Sequence, residues 1–242
     1  VLLHDVVTDG TVTASAVRQE GAVTRTWIAG TFTKIGIPSG PGVALDPADS
    51  TKLAPGMPRV EGGNVTVSTD DGAGGWYIGG SFTSVGGVPT KHVAHIFADG
   101  GVDPHFVASG FTGAPIIRAL DYDSANAAAK RRLYVGGNFR WSDGTNVDNL
   151  VSLTSTGTRD ANFAIGAGVT CVPTCTTNGG VHALLVDPRP ETDAVADAAQ
   201  GVYIGGRFDR VGSETYSNLA KVEFGGARAV QKVRGSIGGG SG

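Results

Sequence analysis

Apolar residues return along this chain in short alternating runs, and the runs come in sets. Each set opens with one such run: Val12 to Val17, Val65 to Val67, Ile116 to Leu120, and Val181 to Val186. A near-constant phrase follows, Trp27-Ile-Ala-Gly-Thr-Phe32, Tyr77-Ile-Gly-Gly-Ser-Phe82, Tyr134-Val-Gly-Gly-Asn-Phe139 and Tyr203-Ile-Gly-Gly-Arg-Phe208. A third run comes next, at Val43 to Leu45, Val93 to Phe97, Leu150 to Leu153 and Leu219 to Phe224. A short closing segment is clearest at Val102 to Phe106 and Arg159 to Phe163. Apolar/polar alternation bounded by Gly, Asp, Pro and Ser predicts strands and turns, and no long segment carries a helical period.

The constant phrase and its lengthening spacing describe a fixed unit with elastic connections, the mark of a repeat architecture. Four strands in about fifty residues is the arithmetic of a β-propeller blade. The expected fold is therefore all-β, a propeller with four recognisable four-stranded blades. Side chains alternate along a strand, so Tyr77, Gly79 and Ser81 share one face, and Ile78, Gly80 and Phe82 the other. The repeated Gly30, Gly79, Gly80, Gly136, Gly137, Gly205 and Gly206 are expected to let adjoining sheets approach closely. Phe32, Phe82, Phe139 and Phe208 supply the bulk buried between them. The 39 glycines among 242 residues agree with this, and a net charge of −3 argues against a nucleic-acid partner.

The order apolar strand, Tyr-Ile/Val-Gly-Gly-x-Phe, Asn-Leu-Val-x-Leu, then Gly-x-x-Asp-x-x-Phe resembles the delta-sixty repeat of bacterial surface and secreted β-propellers. Gly100 to Phe106 and Gly157 to Phe163 match its closing portion, and the resemblance spans most of residues 12–231. Repeat one lacks a clear Asp-x-x-Phe ending, and repeat four ends in Gly225-Gly-Ala-Arg-Ala-Val230. The resemblance implies the fold and an exported, secreted or cell-surface location. It implies no reaction, cofactor or catalytic residue.

Residues 1–234 read as one propeller domain, and residues 235–242 as a Gly/Ser linker or tail. A start at Val1 without Met or signal peptide suits a processed or excised piece. Val1-Leu-Leu-His4 is a candidate outer strand for the last blade; the alternative is further blades in a longer chain or a partner. Cys171 and Cys175 stand close enough to close a small loop disulfide, which would fit an oxidising compartment. Two free thiols, or half of a metal site, are the alternatives. No stretch is long and apolar enough for a membrane-spanning helix. Asn64-Val-Thr66 fits the N-glycosylation pattern.

Function should sit where the repeats differ. The connection after the first strand lengthens through Ser124 to Arg132 in repeat three and through Pro188 to Gly201 in repeat four, with Ala-rich portions suited to a helical turn. On the opposite end, the loops after the second strand read Phe-x-x-Ile/Val-Gly in three repeats but Phe139-Arg-Trp-Ser-Asp-Gly144 in the third. Trp141, Asp143, Asn146, Lys91, Tyr216 and Thr176 thus form the candidate ligand-binding surface, since exposed aromatic and polar loop residues are typical anchors. The competing reading has Trp141 cover the end of an inter-blade seam.

Other chemistry reads as structural. His92 and His95 are three apart on a strand and should diverge rather than chelate a metal. Asp70-Asp71 and Asp121 with Asp123 lack a full calcium loop and suit turn roles. No nucleophile elbow, phosphate loop or dinucleotide fingerprint is present. Lys130-Arg-Arg132 suits a solvated loop. The expected function is a non-catalytic extracellular binding or adhesion module offering loops to a glycan or protein. The alternative is a structural domain completed by another chain or domain of the same assembly.

Overall fold

The computed structural model describes residues 7–20, 23–33, 35–36, 57–125, 128–144, 146–171, 178–187, 200–224 and 230–235. The chain divides into two units, Val1–Gly40 and Pro41–Gly242. Each is described by itself.

The first unit holds repeat one. Strands β1 (Val12–Glu20) and β2 (Val23–Gly30) pair antiparallel with Val12 opposite Gly30. A register shift follows Val12, so Thr13 is an extra residue on β1. Beside this hairpin Val7–Thr8 pairs with Ile35–Gly36, and the Asp9 carboxylate accepts hydrogen bonds from the N–H and hydroxyl of Thr33. The expected third run at Val43 and the candidate strand Val1 to His4 lie outside the described residues.

The second unit holds repeats two to four as successive antiparallel sheets. Repeat two contains β3 (Val65–Asp70), β4 (Trp76–Gly80) and β5 (Val93–Ile96). Repeat three contains β6 (Phe111–Tyr122), β7 (Leu133–Ser142) and β8 (Asn146–Leu153). Repeat four contains β9 (Gly180–Val186), β10 (Gly201–Arg207), β11 (Leu219–Phe224) and β12 (Val230–Gly235). The second strand is paired on both sides in each of these sheets. Among the described residues the fourth strand is complete only in repeat four. In repeats two and three the closing segment makes a single bridge, Ile96 with Val102 and Leu153 with Arg159. The Pro104 and Ala161 turns that follow curtail it there. The Ala-rich insertion of repeat three contributes one 3₁₀ turn, Ala128–Lys130.

The two glycines of the repeated phrase do different work. An added Cβ on Gly79 would meet Ile117 and Leu120 of the next repeat, and one on Gly136 would meet Val181 and Leu184 of the next. This first glycine makes the close approach between sheets that the sequence suggests. The second does not. A Cβ on Gly80, Gly137 or Gly206 would strike the carbonyl oxygen of Asn64, Ile116 or Gly180, each in the same repeat. That carbonyl precedes a bulge on the first strand, where Val65/Val67, Ile117/Ala119 and Val181/Ala183 mark the register shift.

Two of the apolar clusters accordingly lie in the seams. One cluster joins Tyr77 and Val93 to Ile117, Leu120 and Val135 across repeats two and three. Another joins Tyr134 and Leu150 to Val181, Ile204, Phe208 and Phe224 across repeats three and four. A third gathers Val60, Ile78, Phe82, Val85 and Ile96 within repeat two.

Candidate functional site

The segments read as loops after the second strand are hairpins that build small secondary sheets. Val60–Glu61 pairs with Ser84–Val85, which pairs with Val88–Pro89. Val169–Thr170 pairs with Arg210–Val211, which pairs with Glu214–Thr215. In repeat three the same device is fused into the long strands, with Phe111 opposite Trp141 and Trp141 opposite Val147. Trp141 therefore holds the place of the fully buried Val85 and Val211. It is 2% exposed, stacks edge-on against Phe111 at 4.9 Å, and lies over Gly110, where any Cβ would collide with the indole. The expectation of an exposed Trp141 anchor is corrected: it closes an apolar seam, because Gly110 makes room for the ring.

The other candidates scatter. Lys91 is exposed beside His92, and Asn146 is exposed at the start of β8. The Asp143 carboxylate accepts from Arg159 Nε at 3.0 Å. Tyr216, expected on the surface, is half-buried and donates its hydroxyl to the Val233 carbonyl at 2.8 Å. Thr176 and Cys175 lie outside the described residues. Cys171 packs against the seam between repeats three and four, its Sγ 3.2 Å from the Arg207 carbonyl oxygen.

Two arrangements escaped the sequence reading. The first is a charged cluster in repeat two. His95 on β5 has Nε2 at 3.1 Å from Asp71 Oδ2 and Nδ1 at 3.0 Å from Asp103 Oδ2. Its ring stacks on Tyr77 at 4.3 Å between centroids. Burial alone would raise both carboxyls, but hydrogen bonds from His95 and from backbone N–H groups (Ala73 and Gly75, or His105) hold each below its ordinary value. Burial holds the Tyr77 hydroxyl well above the usual phenol range, with Tyr122 and the two carboxylates adding to it. His92 has different neighbours, the Gly80 carbonyl and the edge of Phe111. Burial pushes its imidazole below the ordinary value.

The second arrangement is a sheet face. Tyr77, Tyr134 and Tyr203 occupy one position of the repeat, as their cross-strand partners His95, Ser152 and Lys221 show. Tyr134 is 1% exposed, whereas Tyr203 is 41% exposed. Leu150 is fully buried, whereas its counterpart Leu219 is 52% exposed. Leu185, directly opposite Tyr203, is exposed as well. Among the described residues of the second unit, the side that repeats two and three turn toward the next repeat thus carries exposed side chains in repeat four. A periodicity argument cannot find this, because the sequence of repeat four is that of a covered repeat.

A family model described as a domain of unknown function (DUF5122) beta-propeller matches residues 74–106 and 131–163. No curated protein and no solved structure matches the chain. Each matched span runs from the second strand to the closing Phe of one repeat, and repeat four continues the same register. The chain is an all-β protein built from β-propeller repeats.

Proposed function

We propose that this chain is a non-catalytic docking module of a secreted or cell-surface assembly, working through the exposed Tyr203 and Leu219 side of repeat four. The observation behind this reading is the contrast between Tyr203 with Leu219 and their buried counterparts Tyr134 with Leu150. Large apolar side chains exposed together on one sheet face mark an interaction site. Radical footprinting tests it. Tyr203 and Leu219 should be protected when the protein is probed in its native surroundings and reactive once it is purified and diluted. Equal reactivity in both states would remove the docking role.

The exported location rests on the resemblance to the delta-sixty repeat and on the Cys171/Cys175 pair. A disulfide closing that loop would appear as a mass two hydrogens below the reduced chain. Full alkylation without reductant would count against both the bridge and the compartment.

A second reading keeps the hairpin tips as a recognition surface for a glycan or protein. It is favoured by the tip of repeat three, where Arg159 fixes the Asp143 carboxylate near the exposed Asn146. Its test is a glycan and surface-protein array probed with the wild type, Asp143→Ala and Lys91→Ala. Binding that neither substitution weakens would discard this surface.

A further inference from the structure

Asn178 is followed by Gly179, and no other asparagine of the chain precedes a glycine. Asn126 precedes Ala127, and Asn64, Asn138, Asn146, Asn149, Asn162 and Asn218 precede Val, Leu or Phe. Glycine at the second position removes the side chain that would keep the next main-chain nitrogen away from the asparagine side-chain carbon.

His182 sharpens this pair. It is the bulge residue of β9, and its Nε2 lies 3.0 Å from the Asn178 carbonyl oxygen. A carbonyl only accepts, so Nε2 carries the hydrogen and donates it. That carbonyl and the Gly179 N–H belong to one conjugated peptide group. A donor on the oxygen therefore draws electron density out of the amide and makes its N–H a stronger acid.

The chain just beyond is held by repeat three. The Gly179 carbonyl accepts from Arg118 Nη1 at 3.0 Å and from Asn138 Nδ2 at 3.4 Å. Gly180 pairs with Arg207, holds a left-handed φ of 95°, and lies where an added Cβ would strike the Gly137 carbonyl oxygen. The Asn178–Gly179 pair thus adjoins the clasp between repeats three and four.

We propose that Asn178 is a modification site, where the chain converts itself through a succinimide to aspartate and isoaspartate, with His182 speeding the ring closure. The Gly179 nitrogen loses its proton to solvent and bonds to Asn178 Cγ. The Cγ–Nδ2 bond breaks, and Nδ2 takes up a proton and leaves as ammonia. Water then opens the ring. Attack at Cγ gives aspartate. Attack at the main-chain carbonyl carbon gives isoaspartate, whose backbone runs through Cβ and Cγ. One carbon is thereby inserted directly before the clasped Gly179, and a neutral amide becomes a carboxylate. With Gly180 fixed, the insertion is absorbed at the expense of the Arg118 and Asn138 bonds.

Peptide mapping by mass spectrometry tests this on the full chain, incubated in mildly alkaline buffer with and without urea. In native buffer the Asn178 peptide should first lose ammonia and then end one mass unit above its starting mass. Peptides carrying the other asparagines should keep their mass. His182→Ala should slow the change roughly threefold to tenfold, the scale of one hydrogen bond. His182→Gln, whose amide still donates, should keep most of the rate and guards against a folding defect in His182→Ala. In urea the wild type and His182→Ala should react equally, because the contact is gone. Isoaspartyl chains separated by ion exchange should unfold at lower urea than fresh protein. An Asn178 peptide of unchanged mass overturns the site. Equal native rates for wild type, His182→Ala and His182→Gln overturn the role of His182, and equal urea midpoints overturn the weakened clasp.

Discussion

Asp71 and His95 face each other at 3.1 Å, carboxylate oxygen to imidazole Nε2, with Asp103 on the other ring nitrogen. The other repeats of the second unit set an Arg or a Lys beside the corresponding carboxylates. Asp123 and Asp187 end their first strands as Asp71 does, and Asp160 follows its closing bridge as Asp103 does. Arg132 Nε meets Asp160 at 2.7 Å in repeat three, and Lys221 Nζ lies 3.7 Å from Asp187 in repeat four. Carboxylates this deep require a donor nearby. Repeat two alone uses a titratable ring, wedged between Tyr77, Phe97 and Phe106.

His95→Gln should therefore cost about 2 kcal/mol at neutral pH, since one amide cannot serve two buried carboxylates as the ring does. The acid limb of stability should change too. Asp71 and Asp103 have folded values depressed below the ordinary 3.8, so their contribution is fully present above that pH and is lost as pH falls through the lower folded values. Melting temperature measured from pH 5 down to about 2 should fall more steeply for wild type than for His95→Gln. Parallel curves would show that His95 does not hold the carboxylates down.

Gly136→Val and Gly205→Val are the same substitution at the same repeat position with opposite expected outcomes. At Gly136 the new side chain collides with the buried Val181, and overpacking of this kind costs about 1–3 kcal/mol. At Gly205 the described residues leave only the Ala183 methyl within reach, at 3.8 Å, and stability should change by less than about 0.5 kcal/mol. Urea midpoints of the two variants measure the difference. Equal losses would mean that Gly205 is covered in solution as closely as Gly136.

The strands and their repeat were legible because a covered β-strand needs apolar alternation and a close sheet contact needs glycine. The division of labour between Gly79 and Gly80 was not, since it depends on a bulge at Thr66 that leaves no compositional trace. Trp141 read as an anchor because its hairpin departs from the Phe-x-x-Val pattern. The residue that buries it, Gly110, lies in a different segment and looks like any turn glycine. The Asp71–His95–Asp103 cluster was missed for a related reason. Its three members come from a turn, a strand and a closing segment, and each alone is an ordinary turn or strand residue.

His92 stands where repeats three and four have Asn149 and Asn218, and all three hold a left-handed backbone, with φ of 69°, 66° and 69°. Asn tolerates that conformation better than His does. Asn149 also shows what the amide can do there, accepting from Phe139 N–H and donating to the Val169 carbonyl. His92→Asn should thus be neutral or slightly stabilising at neutral pH. Because burial depresses the His92 value below 6.5, the unfolded chain takes up its proton first, and stability falls as pH drops below about 6.5. The substitution should remove that part of the pH dependence over the interval just below about 6.5. A melting profile unchanged over that interval would contradict the assignment.

Trp141→Ala distinguishes a seam residue from a surface anchor. The indole is buried against Phe111, Phe111 in turn meets Phe139 edge-on at 5.0 Å, and the Nε1 atom has no hydrogen-bond partner among the described residues. Its contribution is therefore packing, and truncation to Ala should cost about 3–5 kcal/mol. Trp141→Phe keeps part of the edge-on contact and should lose markedly less. Gly110→Val attacks the same contact from the other side, placing a side chain where the indole lies, and should be comparably damaging. Chemical denaturation of the three variants reads all of these at once. A loss under about 1 kcal/mol for Trp141→Ala would return the residue to the surface and restore the hairpin tip of repeat three as its place of work.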